Sequence, residues 1–175
     1  MKSLIIYGSQ YGTAKAYAEK LAEMTGILAV SYETVKDLTG YEQIIYFGGL
    51  YAGGVKGLKR TVKKLKDSRV RLMIITVGLA DVSRKENTDH IKKSVEKQVE
   101  EQFLENAVLF HLRGGIDYRK LNYKHKLMMS ALYHSLKKKP AEHITDEDKA
   151  LIETYNTKVD FVDFHSLEQI LEEIR

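Results

Sequence analysis

The residues with the clearest chemistry lie near the start of the chain: Gly8-Ser9-Gln10-Tyr11-Gly12-Thr13-Ala14. They join a short apolar run, Leu4-Ile5-Ile6-Tyr7, to a stretch of good helix formers from Ala14 to Met24 that stops at Gly26. A helix beginning there turns unpaired N–H groups and a partial positive charge toward the loop. Ser9 and Thr13 add hydroxyl donors. Such a set can hold a phosphate monoester without a nearby cation. Other loop chemistries do not fit. The segment lacks the Gly-Lys-Ser/Thr ending of a nucleotide P-loop, the Gly-x-Gly-x-x-Gly spacing and the Gly-x-Ser-x-Gly nucleophile elbow.

Composition narrows the chemistry further. The 175 residues include no cysteine, which removes disulfides, iron–sulfur clusters, thiolate catalysis and cysteine-bound zinc. Any electron handling must use an organic cofactor. The six histidines show no metal-ligand spacing, so no metal site is expected. A phospho-acceptor receiver domain would need an aspartate ending its third strand, where this chain has Phe47-Gly48-Gly49. The run Leu4–Tyr7 is too short for a signal-peptide core. The 13 uncharged residues Gln43–Val55 contain four glycines and cannot span a bilayer. A cytoplasmic protein, at most peripheral to the inner face of the membrane, is the expectation.

The elements that must position the loop alternate strictly. Strands are expected at Leu4–Tyr7, Ile27–Tyr32, Ile44–Phe47, Val70–Val77 and Ala107–Leu112. Helices are expected at Ala14–Met24, Val55–Lys66 and Glu86–Leu104. This alternation implies one α/β domain over residues 1–175, a three-layer sandwich around a five-stranded parallel sheet of order 2-1-3-4-5. Ligands of such sheets lie beyond the carboxyl ends of the strands. The segments Gly8–Ala14, Gly48–Gly54, Gly78–Asp81 and Gly114–Tyr118 should therefore face one another. Residues 118–157 read as an insertion before the last helix, a basic helix (to Lys139) followed by an acidic helical part. Thr145-Asp146-Glu147-Asp148 has capping-box form, and Ser166 is expected to cap the final helix, Leu167–Ile174.

The segment Tyr7-Gly8-Ser9-Gln10-Tyr11-Gly12-Thr13-Ala14 resembles the FMN-phosphate loop of flavodoxins and flavodoxin-like reductase domains. Ser9, Gly12 and Ala14 match that pattern, and Tyr11 stands where threonine is commoner. Gly48-Gly49-Leu50-Tyr51-Ala52-Gly53-Gly54 and Leu112-Arg113-Gly114-Gly115-Ile116-Asp117-Tyr118-Arg119 are similar to the menaquinone-dependent protoporphyrinogen IX dehydrogenase type of flavodoxin-like protein. The resemblance implies FMN as cofactor, held by Ser9, Gln10, Tyr11, Gly12, Thr13 and Ala14 at the phosphate. Gly49, Leu50, Tyr51, Ala52, Gly53, Gly54, Gly78, Leu79, Ala80, Asp81, Gly115 and Tyr118 would lie around the ring. Tyr51 either flanks the ring or covers the sheet edge, and Tyr118 is a second stacking candidate. Asp81 reads as a capping or solvated residue. No side chain stands out as catalytic acid or base.

The function implied is an FMN-dependent oxidoreductase that passes electrons from a substrate such as protoporphyrinogen to a quinone. Its rivals are an electron carrier with no small-molecule substrate of its own, and an anion-binding module with a vestigial flavin site. The charge is uneven. Val55–Arg71 carries eight Lys/Arg against one Asp, Tyr118–Lys139 carries seven and no acid, and Pro140–Arg175 carries ten acids against three bases. The basic runs suit a porphyrin's carboxylates and raise the potential of an anionic reduced flavin if they lie near it. Lys56–Arg71 lacks the interleaved aromatics of a nucleic-acid binder, so no nucleic acid is expected. The helix within Tyr118–Lys139 reads as core-packed, with Leu121, Met128, Leu132 and Leu136 on its stripe, or as facing a quinone or an anionic membrane.

Overall fold

A computed structural model describes residues 1–51, 53–67 and 69–174. Its central sheet is built from β1 (Ser3–Gly8), β2 (Ala29–Ser31), β3 (Gln43–Tyr51), β5 (Arg71–Gly78) and β6 (Val108–Arg113). These strands are parallel and ordered β2-β1-β3-β5-β6, the expected 2-1-3-4-5 arrangement. A short strand, β4 (Gly54–Val55), turns back antiparallel on β3, and sequence reasoning did not anticipate it.

Period-two alternation sorts the strand residues between two cores. Leu4, Ile6, Ile44, Tyr46, Leu72 and Ile74 face α2 (Leu58–Val62), α3 (Lys85–Glu96) and α4 (Glu101–Leu104). Ile5, Ile45, Phe47, Met73 and Ile75 face α1 (Thr13–Thr25) and α7 (Leu167–Ile174). With both faces covered, the strands are near-continuous apolar runs.

Several boundaries differ from expectation. The helix expected over Val55–Lys66 shrinks to α2, because Gly57 adopts φ +77° and Val55 belongs to β4. Its apolar stripe was nevertheless read correctly, since Val55, Leu58, Val62 and Leu65 are all buried. The helix expected over Glu86–Leu104 is two pieces, α3 and α4. Ser166 is not the cap. It lies in a 3₁₀ turn where Asp163 accepts from the His165 amide and the Ser166 hydroxyl donates to the Asp163 carbonyl.

Between β6 and α7 a further unit covers the carboxyl ends of the strands. A ribbon of β7 (Gly115–Asp117) and β8 (Lys158–Asp160) encloses α5 (Tyr123–Lys137) and α6 (Asp146–Glu153). Leu79, Ile116, Tyr118 and Met129 form its small core, with Tyr11, Leu132 and Leu151 against it. In α5 the buried residues are Met129 and Leu136, and Met128 remains exposed. The capping box expected at Thr145 forms reciprocally with Asp148, whose carboxylate also takes the Lys139 ammonium at 2.7 Å.

Burial pushes the Asp148 carboxyl upward, but the Lys139 ammonium and the Thr145 backbone and hydroxyl outweigh it and hold it below the usual aspartate range. The stabilisation from Asp148 is thus present above the unfolded-state value of about 3.9 and lost as pH falls through the lower folded value. Asp148→Asn should lower hydrogen-exchange protection of the α6 amides at pH 7, while the wild type loses that increment only below about pH 4. Equal protection in both proteins at pH 7 would contradict the assignment.

Candidate functional site

The loop after β1 ends at Gly12, which caps α1 with φ +94° and no side-chain acceptor. The Gly12 amide donates to Ser9 Oγ at 3.0 Å. Among the described residues, the amides of Gln10, Tyr11, Thr13, Ala14 and Lys15 have no acceptor. They are the donors of an anion cradle at a helix N-terminus. Ala14 contributes only its amide, since its methyl group is fully buried.

Glycines let the neighbouring strand ends close around this cradle. A Cβ on Gly114 would come within 2.8 Å of Thr13 Oγ1, and one on Gly8 would overlap the Lys56 carbonyl. That carbonyl accepts from the Tyr46 hydroxyl, and the Lys56 ammonium donates to the side-chain carbonyl of Gln10. A cation therefore stands against the loop. Sequence reasoning placed Lys56 only in a basic run, although its position just after the Gly53-Gly54 pair was visible.

Tyr11, the departure from the usual threonine, turns away from the cradle. Its hydroxyl donates to Met129 Sδ on α5 at 2.7 Å, and its ring meets Tyr51 edge-on at 6.3 Å. Burial pushes its phenol well above the ordinary range. This residue ties the loop to the unit above it. Tyr118 is buried and meets Tyr155 edge-on at 5.4 Å, with its phenol pushed up to about 12 by burial and then by Tyr155.

The segment after β3 is not the open loop expected. Leu50 pairs with Val55 and Tyr51 with Gly54. The Ser94 hydroxyl donates to the Gly53 carbonyl at 2.8 Å, and the Val55 amide donates to the Gln98 side chain at 3.2 Å, which pins the hairpin to α3. Ala52 lies outside the described residues.

After β5, the amides of Leu79 and Ala80 point into the cleft, and both donate to the Glu147 carboxylate of α6. Asp81 is exposed and accepts from the Ser83 amide in the turn before α3, whose N-cap is Arg84. Arg113 donates to the Leu79 carbonyl at 3.1 Å and lies 3.7 Å over the Phe161 ring. Glu147 and Arg113 were missed as site residues, since only the chain's return over the strand ends brings them there.

Two cavities result. A cleft of ≈ 20 Å³ lies among Ser9, Gln10, Tyr11, Thr13, Gly49, Leu50, Gly78, Leu79 and Gly115. A larger cavity of ≈ 380 Å³ is bounded by Leu50, Tyr51, Gly53, Gly54 and Ala80 on one side. His90 and Ile91 of α3, and Leu132, Leu136 and Leu151 of the overlying unit, complete it. Gly12, Ala14, Asp81 and Tyr118 border neither cavity. No cluster of His, Asp and Glu suited to a metal exists among the described residues.

An α/β sheet with an amide-lined anion cradle after its first strand, facing glycine-rich turns after the third and fourth, defines a phosphoryl-cofactor domain of the doubly wound class. The flavodoxin domain family matches residues 4–143, and the chain belongs to that family. Its members bind FMN and carry electrons, and FMN is the cofactor here. Among solved structures, a cysteine-to-alanine mutant of flavodoxin from Pseudomonas aeruginosa is 21% identical, with a TM-score of 0.41, over 77% of this chain and 96% of that one. A cysteine-to-serine mutant of the same flavodoxin is 22% identical, also at 0.41, over 69% and 87%. No curated protein matches the sequence.

The residues present fit this cofactor. The unpaired amides of the Gln10–Lys15 turn suit its phosphate, and the glycine walls admit a ligand close to backbone. Lys56→Met should weaken FMN binding several-fold in a fluorescence-quenching titration and leave riboflavin binding unchanged, because the ammonium acts on the phosphate alone. Equal losses for both flavins would place Lys56 elsewhere in the site.

Proposed function

We propose that the protein is an FMN-dependent oxidoreductase with a small-molecule substrate of its own. The observation that carries this is the unit folded over the strand ends, which adds Leu132, Leu136 and Leu151 to the ≈ 380 Å³ cavity opposite the turns that receive the ring. A plain electron carrier needs only an exposed cofactor edge, whereas these side chains wall a pocket in which a small molecule can lie against the ring. Ser9, Gln10, Tyr11, Gly12, Thr13 and Ala14 hold the phosphate in this reading. Gly49, Leu50, Tyr51, Gly53, Gly54, Gly78, Leu79, Ala80 and Gly115 surround the ring. Bound there, FMN supplies one- and two-electron transfer.

The protein's own part is to bind, orient and exclude water. Ile91, Leu132, Leu136 and Leu151 give the cavity an apolar wall. Of the acids that line it, Asp148 is paired with Lys139 and Asp146 with Arg84 at 2.8 Å, while Glu147 accepts from backbone amides. A quinone head group suits such a lining as electron acceptor. Protoporphyrinogen IX is the donor to which the sequence resemblance points. Purified protein should be yellow or take up FMN, and should oxidise protoporphyrinogen IX with a menaquinone analogue. FMN uptake with electron transfer to a protein acceptor, and no turnover of either small molecule, would leave the carrier reading in its place.

The outer face of α5 supports a membrane-surface contact. Tyr123, Leu127 and Met128 are exposed among Lys120, Lys124 and Lys126, none of which forms an ion pair within the described residues. No helix among the described residues is long and apolar enough to cross a membrane. Apolar side chains framed by lysines suit an anionic lipid surface. Co-sedimentation with phosphatidylglycerol vesicles at low salt, reduced in 0.5 M salt and by Leu127→Asp, is the expected result; no binding at low salt would end the idea.

A further inference from the structure

Among the described residues, Glu147 is the one carboxylate that reaches into the strand-end cleft, and its surroundings are unusual. It projects from the first turn of α6, behind the Thr145 cap. The Leu79 amide donates to its two oxygens at 2.9 and 3.1 Å, and the Ala80 amide donates at 2.7 Å. It forms no ion pair among the described residues. A Cβ on Gly78 would sit 3.0 Å from one of its oxygens, so glycine there leaves room for the carboxylate. Burial raises the carboxyl above the ordinary glutamate range despite the two amides and the Arg113 guanidinium. A half-buried carboxylate whose partners are backbone amides rather than a paired cation is set up to be exchanged for another acceptor.

Leu50, Glu147 and Leu151 line both the narrow cleft and the large cavity, and so form the wall between them. A ligand with its phosphate at the α1 cradle and its ring beside Tyr51 must pass through that wall. Two of the three side chains belong to α6. The segment carrying them is bounded by Pro140 and by Asn156, the one non-glycine residue with positive φ (61°) among the described residues.

We infer that Glu147 is an internal stand-in for the cofactor. Its carboxylate oxygens occupy the Leu79 and Ala80 amides in place of a ring carbonyl, and α6 swings aside as the flavin enters. Gly78, Leu50 and Leu151 fit the occupant that is displaced. The latches of the closed state are Lys139–Asp148 and Arg84–Asp146. Water hydrates both sets of charges once α6 moves, whereas the amides pass from one acceptor to another. This rests on the flavin-site reading above.

The test compares the wild type with Glu147→Gln and Glu147→Ala by stopped-flow quenching of FMN and riboflavin fluorescence. The chain has no tryptophan to interfere. In the wild type, the observed association rate should level off at high flavin as opening becomes limiting. Both variants should bind faster and tighter, the alanine variant by roughly tenfold or more, because the closed fraction no longer lowers the apparent affinity. The gain should be the same for riboflavin, since the contact concerns the ring. Glu147→Gln keeps the side chain's volume and guards against a folding defect. Weaker flavin binding in both variants would make Glu147 a cofactor ligand and overturn the proposal. Equal rates and affinities in all three proteins would overturn it alone. No binding of either flavin by any of the three would overturn the flavin-site reading together with it.

Discussion

Backbone N–H groups left without partners where strands turn into helices at the carboxyl edge of the sheet govern this molecule. Each must find an acceptor, because a buried amide without one costs free energy comparable to a lost hydrogen bond. The turn after β1 presents five such amides, and the turn after β5 presents two more. The first group is an opening for an anion, while the second is satisfied by a carboxylate from the chain itself. Glycines at 8, 49, 78 and 114 keep side chains out of the space between them. An edge so constructed has one clear use, to hold a flat phosphorylated cofactor against backbone.

The unit between β6 and α7 gives this edge its individuality. Its small core is joined by polar ties to the rest of the molecule. Tyr11 reaches Met129, Asp148 joins Thr145 and Lys139, and Glu147 grips the turn after β5. Most of these ties are exchangeable with water or with a ligand. Cover and mobility are compatible for that reason. The same unit makes α5 two-faced, with Met129 and Leu136 turned to the site and Tyr123 and Leu127 turned outward. A cofactor domain thus acquires both a half-open cavity and an outer surface of distinct chemistry.

Reading the residues alone succeeded where local physics decides. The apolar runs named the strands because a strand buried on both faces has nowhere to place a charge. Gly26 stops α1 in the left-handed conformation that glycine favours, and the Thr145–Asp148 pair closes the box that its spacing promised. The loop from Gly8 to Ala14 was legible as an anion cradle, since unpaired amides follow from any helix start. Errors gathered where a long-range neighbour overrides the local signal. Val55 was given to a helix until Leu50 recruited it as a strand, and Met128 was preferred over Met129 until the unit's orientation was known.

Sequence alone therefore determined the layered α/β architecture, the order of its strands and the turn of unpaired amides before α1, all of which arise from hydrophobic period and from helix-end chemistry within a few residues. Only tertiary structure decided what faces the cradle. Lys56 comes to Gln10, Tyr11 to Met129 and Glu147 to Leu79 and Ala80, with sequence separations of 46, 118 and 68 or 67 residues. No local pattern encodes such meetings. They follow from right-handed crossovers that gather the strand ends on one edge and from a later segment that folds back over it.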